Sequence, residues 1–113
     1  MPTPFRRPIN WNRLRTDEAE RLVHERSADR SNVIIGDHAF DRINEREIIS
    51  DDVYWILESG YVDGGLVRNE HGDWELIMVR RMPGGREAGV VTIVFVEGQM
   101  LFVKTVEWMD LKR

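Results

Sequence analysis

Hydrophobic positions along the chain change their period once, near Gly60. Before it apolar residues recur every three or four positions, and after it they alternate. The first periodic stretch opens at Thr16-Asp17-Glu18-Ala19-Glu20. Asp17 can cap there, Glu20 lies three residues on, and acids crowd the positive end of the helix dipole. This predicts a helix to about Asp29 with Ala19, Leu22, Val23 and Arg26 on one side. Residues 32–36 read as a short strand or extended segment. A second helix follows, capped by Asp37, with Ala39, Phe40 and Ile43 as its apolar stripe. Glu47-Ile48-Ile49 breaks it. Ser50 then caps a third helix with Asp51 and Asp52 in its first turn, Val53, Ile56 and Leu57 on its buried face, and Gly60 as a C′ stop.

Beyond Gly60 the pattern is that of strands. Residues 61–69 form one weakened by Gly64 and Gly65, and His71-Gly72-Asp73 turns the chain into residues 74–81, with Trp74, Leu76 and Met78 on one face. Residues 82–89 read as a loop. Residues 90–96 are apolar almost throughout, as a strand covered on both faces would be, and Glu97-Gly98-Gln99 leads into residues 100–108. Strict alternation groups Lys104 with Met100, Phe102, Val106 and Trp108, and Thr105 with Leu101 and Val103. Helices first and hairpins afterwards predict an α+β fold, with two or three N-terminal helices packed on an antiparallel sheet of about four strands. Residues 1–15 hold three of the four prolines and no period, so they are expected to form an arm docked through Phe5, Ile9 and Trp11. Residues 16–113 make the single domain.

Composition narrows the function classes more than it narrows the fold. With 113 residues, 42% apolar and 32% charged, the chain has room for one modest core. No apolar run approaches the roughly 20 residues of a membrane helix, and no apolar segment follows Arg6 and Arg7 as in a signal peptide. The absence of cysteine excludes disulfides, thiolate metal sites and cysteine nucleophiles, and agrees with a cytoplasmic setting. Charge is unevenly spread: residues 1–15 carry four Arg and no acid, whereas residues 16–60 set twelve acids against five Arg. The total is −4, so a nucleic-acid site would need basic groups to converge locally.

The best candidate chemistry is His38, Arg42 and Arg46. Steps of four place them on successive turns of one helical flank. An imidazole exchanges protons near neutral pH and guanidinium forks hold phosphate oxygens, which together are the needs of phosphodiester transesterification. The competing reading has His38 donating to a backbone carbonyl near the helix start while Arg42 and Arg46 pair with Asp41, Glu45 or Glu47. A third has the same flank recognising a protein partner. Arg80 and Arg81 end one strand and point to opposite faces, so only one of them can join a site. Lys104 and Thr105 lie in the last strand. Trp11, Trp55, Trp74 and Trp108 are expected to pack at the core or its rim. His24, His38 and His71 are too scattered for a metal site, and no phosphate-binding glycine loop is present.

The series Asp37-His38-Ala39-x-x-Arg42-Ile43-x-Glu45-Arg46-x-Ile48-x-x-x-Asp52-Val53, then Leu57-x-x-Gly60 and Val103-Lys104-Thr105-Val106-x-Trp108, resembles a bacterial family of small domains of unknown function. Its members open with His-Ala-x-x-Arg-x-x-x-Arg and close with a Thr-Val strand. The likeness spans roughly residues 16–110. That family is in turn similar to the RelE, MqsR and BrnT toxins. The resemblance implies an endoribonuclease needing neither metal nor cofactor, with His38, Arg42 and Arg46 as catalytic residues and Arg80, Arg81, Lys104 and Thr105 as substrate-binding candidates. It further implies RNA or the ribosome as target, a cognate antitoxin as protein partner, and a homodimer as an assembly to test. Two departures stand out: such toxins are usually basic, and Glu47 occupies the place of the family's glycine after the second Arg. The alternative from another class is a non-catalytic protein-interaction module.

Overall fold

The computed structural model describes residues 8–112. Two of its three helices start where an acidic side chain folds back on the chain. In α1 (Thr16–Ser27) the Glu18 carboxylate accepts from the Arg15 N–H at 3.2 Å, and in α3 (Ser50–Ser59) Asp52 accepts from the Ile49 N–H at 3.2 Å. Asp17 and Ser50 therefore lie inside their helices instead of capping them, and Glu20 is free to accept from the Val62 N–H at 2.8 Å. Between them, α2 (Asp37–Arg46) starts after Gly36 and ends at Glu47, which adopts φ 57°, ψ 36°. That is the left-handed conformation a C-terminal glycine usually supplies.

The strands form one mixed sheet of six: β1 (Val33–Ile35), β2 (Tyr61–Val62), β3 (Val67–Arg68), β4 (Trp74–Arg81), β5 (Glu87–Val94) and β6 (Leu101–Trp108). Their order is β1-β6-β5-β4-β2, with β3 beside β2 on the same edge of β4. The expected four-stranded antiparallel sheet is thus corrected in two ways. The segment after α1 pairs parallel to β6, Ile34 opposite Phe102, and the stretch through Gly64 and Gly65 breaks into two short strands. A three-residue strand carries no period of its own, so its partner is set by the chain that packs around it. No helix among the described residues is long and apolar enough to cross a membrane.

Register divides the sheet into two unlike faces. Trp74, Leu76, Met78 and Arg80 align with Val94, Thr92, Val90 and Ala88, and these with Leu101, Val103, Val106 and Trp108. This face meets the helices. Its apolar residues form the main core with Ala19, Leu22 and Val23 of α1, Ala39 and Ile43 of α2, and Val53, Ile56 and Leu57 of α3. Phe40, expected in the stripe of α2, is instead 47% exposed. Gly60 stops α3 for a different reason than expected. Its φ is −80°, but a Cβ there would lie 2.5 Å from the Ile56 carbonyl oxygen and 2.7 Å from that of Val79, so only glycine lets the chain pass.

A β-bulge in β6 overturns the expected alternation. Val91 pairs with Thr105 and Thr92 with Val103, which leaves Lys104 without an opposite residue. One extra residue shifts every later side chain to the other face. Val106 and Trp108 therefore share the helix face with Leu101 and Val103, while Lys104 and Thr105 fall on the open face with Phe102. Lys104 reaches across β5 there to Glu75, Nζ to Oε1 at 3.2 Å.

Candidate functional site

His38 and Arg42 meet on the outer flank of α2. Ala39 and Ile43 turn inward to β6, which leaves the residues one position before each of them facing out. His38 is exposed, and Arg42 Nε donates to its Nε2 at 3.4 Å. In that contact Nε2 is the acceptor. Arg42 also binds Glu45 through Nη1 at 2.7 Å. The pairing of Arg42 with Glu45 is thus present, whereas no backbone carbonyl takes His38.

One turn further on, Arg46 is half-buried and its Nε is shut off from solvent with no hydrogen-bond acceptor. Its own carbonyl oxygen accepts from the Trp108 indole N–H at 2.9 Å, which fastens the end of α2 to the end of β6. Trp108 lies in one register row with Ala88 and Arg80, so Arg80 stands two strands away, about 10 Å between Cα atoms. Arg80 is laid over the Trp55 ring of α3, its Cζ 3.9 Å from the ring centre, and Nη1 donates to the Ser59 carbonyl at 3.3 Å. Its Nε, like that of Arg46, is buried without an acceptor. A buried donor left unmade costs roughly 1–3 kcal/mol, and Arg26 Nε is a third such donor.

Ion pairs among the described residues make the contrast sharper. Arg15, Arg21, Arg30, Arg42, Arg86 and Lys104 each have a carboxylate within 4 Å, in a chain with 20 acidic residues. Arg13, Arg26, Arg46, Arg68, Arg80 and Arg81 have none. Arg86 covers the Trp108 ring at 4.2 Å and is bound through both ends of its fork to Asp110 at 3.0 and 3.1 Å, a pairing that raises its pKa above the ordinary arginine value. Arg46 at the end of α2 and Arg80 at the end of β4 thus stand without a carboxylate in a chain whose overall charge is −4.

The structure brings together part of the expected set. His38, Arg42 and Arg46 share one flank of α2, whereas Arg80 is held by α3, over Trp55 and bonded to the Ser59 carbonyl. Arg81 points to the open face, as alternation required, and Lys104 and Thr105 lie on that same face, Thr105 by virtue of the bulge, away from α2. Those three are not assembled with His38. Sequence reasoning missed Trp55 and Trp108 as the partners that place Arg80 and Arg46. The available signal was Arg80 itself, which alternation puts in the apolar row of Trp74, Leu76 and Met78.

No three His, Asp or Glu among the described residues are grouped so as to hold a metal ion. A groove of about 510 Å³ lined by Arg68, His71, Asp73 and Phe95 opens beside the β3–β4 turn, at the other end of the strands, and contains none of the candidate residues. Compared with protein families, with curated proteins and with solved structures, the chain has no match.

Proposed function

We propose that this protein is a toxin-like, metal-independent RNA endonuclease working on the outer flank of α2. The observation that carries the reading is the exposed His38 held against Arg42 at 3.4 Å, with its acceptor nitrogen turned to the guanidinium and not consumed by the backbone. In the reaction a ribose 2′-oxygen attacks the adjacent phosphorus as its proton passes to a base. A new 2′-O–P bond forms, the P–O5′ bond breaks, and the departing 5′-oxygen takes up a proton. His38 supplies one of these proton transfers, and Arg42 neutralises the charge that gathers on the phosphate oxygens. Arg46, one turn on, holds the neighbouring phosphate.

Incubating purified protein with single-stranded RNA in excess chelator tests this directly. The wild type is expected to cleave, leaving 2′,3′-cyclic phosphate ends, and His38→Ala to lose at least about 100-fold in rate. Intact RNA with wild type, or equal cleavage by both, rejects the reading. Controlled expression in a bacterial host adds a second readout, growth arrest with RNA decay in the wild type only.

A second reading, a protein-interaction module, rests on the open face of the sheet. Ile34, Phe102, Ile93 and Glu75 form one register row there, with Val67 beside Glu75. Ile34 is 43% and Val67 63% exposed. Apolar groups aligned across an uncovered sheet suit a protein partner, either an antitoxin-type chain or a second copy. Ile34→Lys would weaken such an association and leave RNA cleavage unchanged.

A further inference from the structure

We infer that the open face of the sheet is the contact surface of a two-fold homodimer, with a second copy of this chain packed face to face over β5. This deepens the protein-interaction reading and rests on it for the use of that face. The three α-helices lie on the other side of the sheet. Among the described residues, the open face is covered at one end by Met109, which lies over Gly89: a Cβ there would come 2.5 Å from its Sδ, and Val79 and Val91 nearby are buried. At the other end Ile34 and Val67 are exposed. Val67, Glu75, Ile93, Phe102 and Ile34 run across that end in one register row, about 19 Å from edge to edge at the usual spacing of paired strands. A Cβ at Gly36 would lie 2.6 Å from Phe102 Cζ, so the glycine leaves room for that ring beside β1.

Charge on this strip selects the occupant. It carries one acid and one base, Glu75 on β4 and Lys104 on β6, one strand to either side of β5. Within a chain the two pair across β5 at 3.2 Å and remain partly exposed. A two-fold axis running along β5 in the plane of contact exchanges β4 with β6. It sets Glu75 against Lys104 of the second copy and Lys104 against the other Glu75. Val67 at one edge then meets Ile34 at the other, and Ile93 meets its own counterpart. The strip is thus complementary to itself, as a closed two-fold contact requires. An acidic or a basic partner would meet one of the two charges with its own sign, and RNA would meet Glu75. Because the two charges cancel, two chains of net charge −4 can approach here. A contact of this extent is at the low end of stable interfaces, so the dimer is expected to form at about 10–100 μM.

Sedimentation equilibrium of the purified protein from about 5 μM to about 500 μM tests this, and the wild type is expected to pass from monomer to dimer over that range. Glu75→Lys and Lys104→Glu each set like charges together at both symmetry-related contacts. Each alone is expected to weaken self-association at least about tenfold. Mixed in equal amounts, the two variants are expected to associate about as well as the wild type, because each supplies the charge that the other lacks. The pair inside each chain stays broken in that mixture, so recovery reports the contact between chains. Circular dichroism melting verifies that both variants fold. A wild type that stays monomeric throughout, single variants that dimerise as the wild type does, or a mixture that associates no better than its components each overturn the homodimer. If the wild type is monomeric but retains from lysate a protein that Ile34→Lys loses, the second copy falls and the interaction reading stands. If it is monomeric and retains none, both fall.

Discussion

Arg26 and Arg80 are both laid near a tryptophan at the edge of the helix layer, yet they sit in opposite kinds of surroundings. Arg26, 5% exposed, lies 5.8 Å from the Trp11 ring centre and spends one nitrogen on two carbonyls, Phe95 at 2.8 Å and Met100 at 3.2 Å. These flank the β5–β6 turn, so the side chain ties α1 to that hairpin. Burial lowers its pKa below the ordinary arginine value, with Glu25 acting in the other direction. Arg80 lies closer to its ring, at 3.9 Å, but makes one longer bond, to Ser59; the Nε of both arginines is buried without an acceptor. Arg26 joins two elements distant in sequence through two carbonyls, whereas Arg80 makes a single bond to the end of α3. The difference predicts how much of the fold each side chain holds.

Deleting each side chain breaks this comparison most directly. Arg26→Ala strips two buried carbonyls of a charged donor and is expected to cost about 3 kcal/mol, which lowers Tm by roughly 10 °C in a domain of this size. Arg80→Met should stay within about 0.5 kcal/mol of wild type, because its stem still covers Trp55 and only one long bond is lost. Thermal melting of the two variants side by side checks both numbers. Equal losses would mean that Arg80 is as structural as Arg26.

The smaller structural contrast concerns how helices end. Glu47 takes the left-handed conformation at the end of α2, where the family resemblance would place glycine. A side chain costs about 1 kcal/mol in that region, so Glu47→Gly is expected to stabilise the fold by about that amount and raise Tm by a few degrees. Removing this acid beside Arg46 should also raise RNA affinity at low salt. A fall in Tm would show that Glu47 makes up the backbone cost by contacts of its own.

How much of this could be read from residue order depends on the range of the interactions. The inward stripe of α1, with Arg26 in it, and the face shared by Trp74, Leu76 and Met78 follow from local periodicity, and both are present. So is the flank of His38, Arg42 and Arg46, since four-residue steps on a helix are local geometry. The bulge at Lys104 is not local: it shows only in the pairing with Val91 and Thr92 of another strand, and it moves Thr105 to the open face, where Lys104 already lies with Phe102. The same holds for the parallel pairing of β1 and for the bond from the Trp108 indole to the Arg46 carbonyl. Gly60 was recognisable as a stop, but the carbonyls that require a glycine belong to Val79 as well as to its own helix.

At the end of α1, Asp29 shows on a small scale how charge is handled where the fold is closed. Its carboxylate accepts from the Ser31 hydroxyl at 2.6 Å and from the Ser31 N–H at 3.0 Å. These two bonds, the hydroxyl first, hold its pKa below the ordinary aspartate value. A carboxyl depressed in the folded state favours folding at pH above its unfolded pKa, and that contribution is lost as pH falls through the folded one. Asp29 is exposed, so solvent screening keeps the effect on stability slight, and the titration of the group itself is the better measure. Following the Asp29 carboxyl carbon by NMR, Ser31→Ala is expected to move its midpoint upward, toward the ordinary aspartate value, by removing the stronger of the two donors. A midpoint that stays in place would show that the backbone N–H alone sets it. In that case the turn after α1, and not the serine side chain, satisfies the acid, a local remedy that Arg46 and Arg80 lack at the other end of the helix layer.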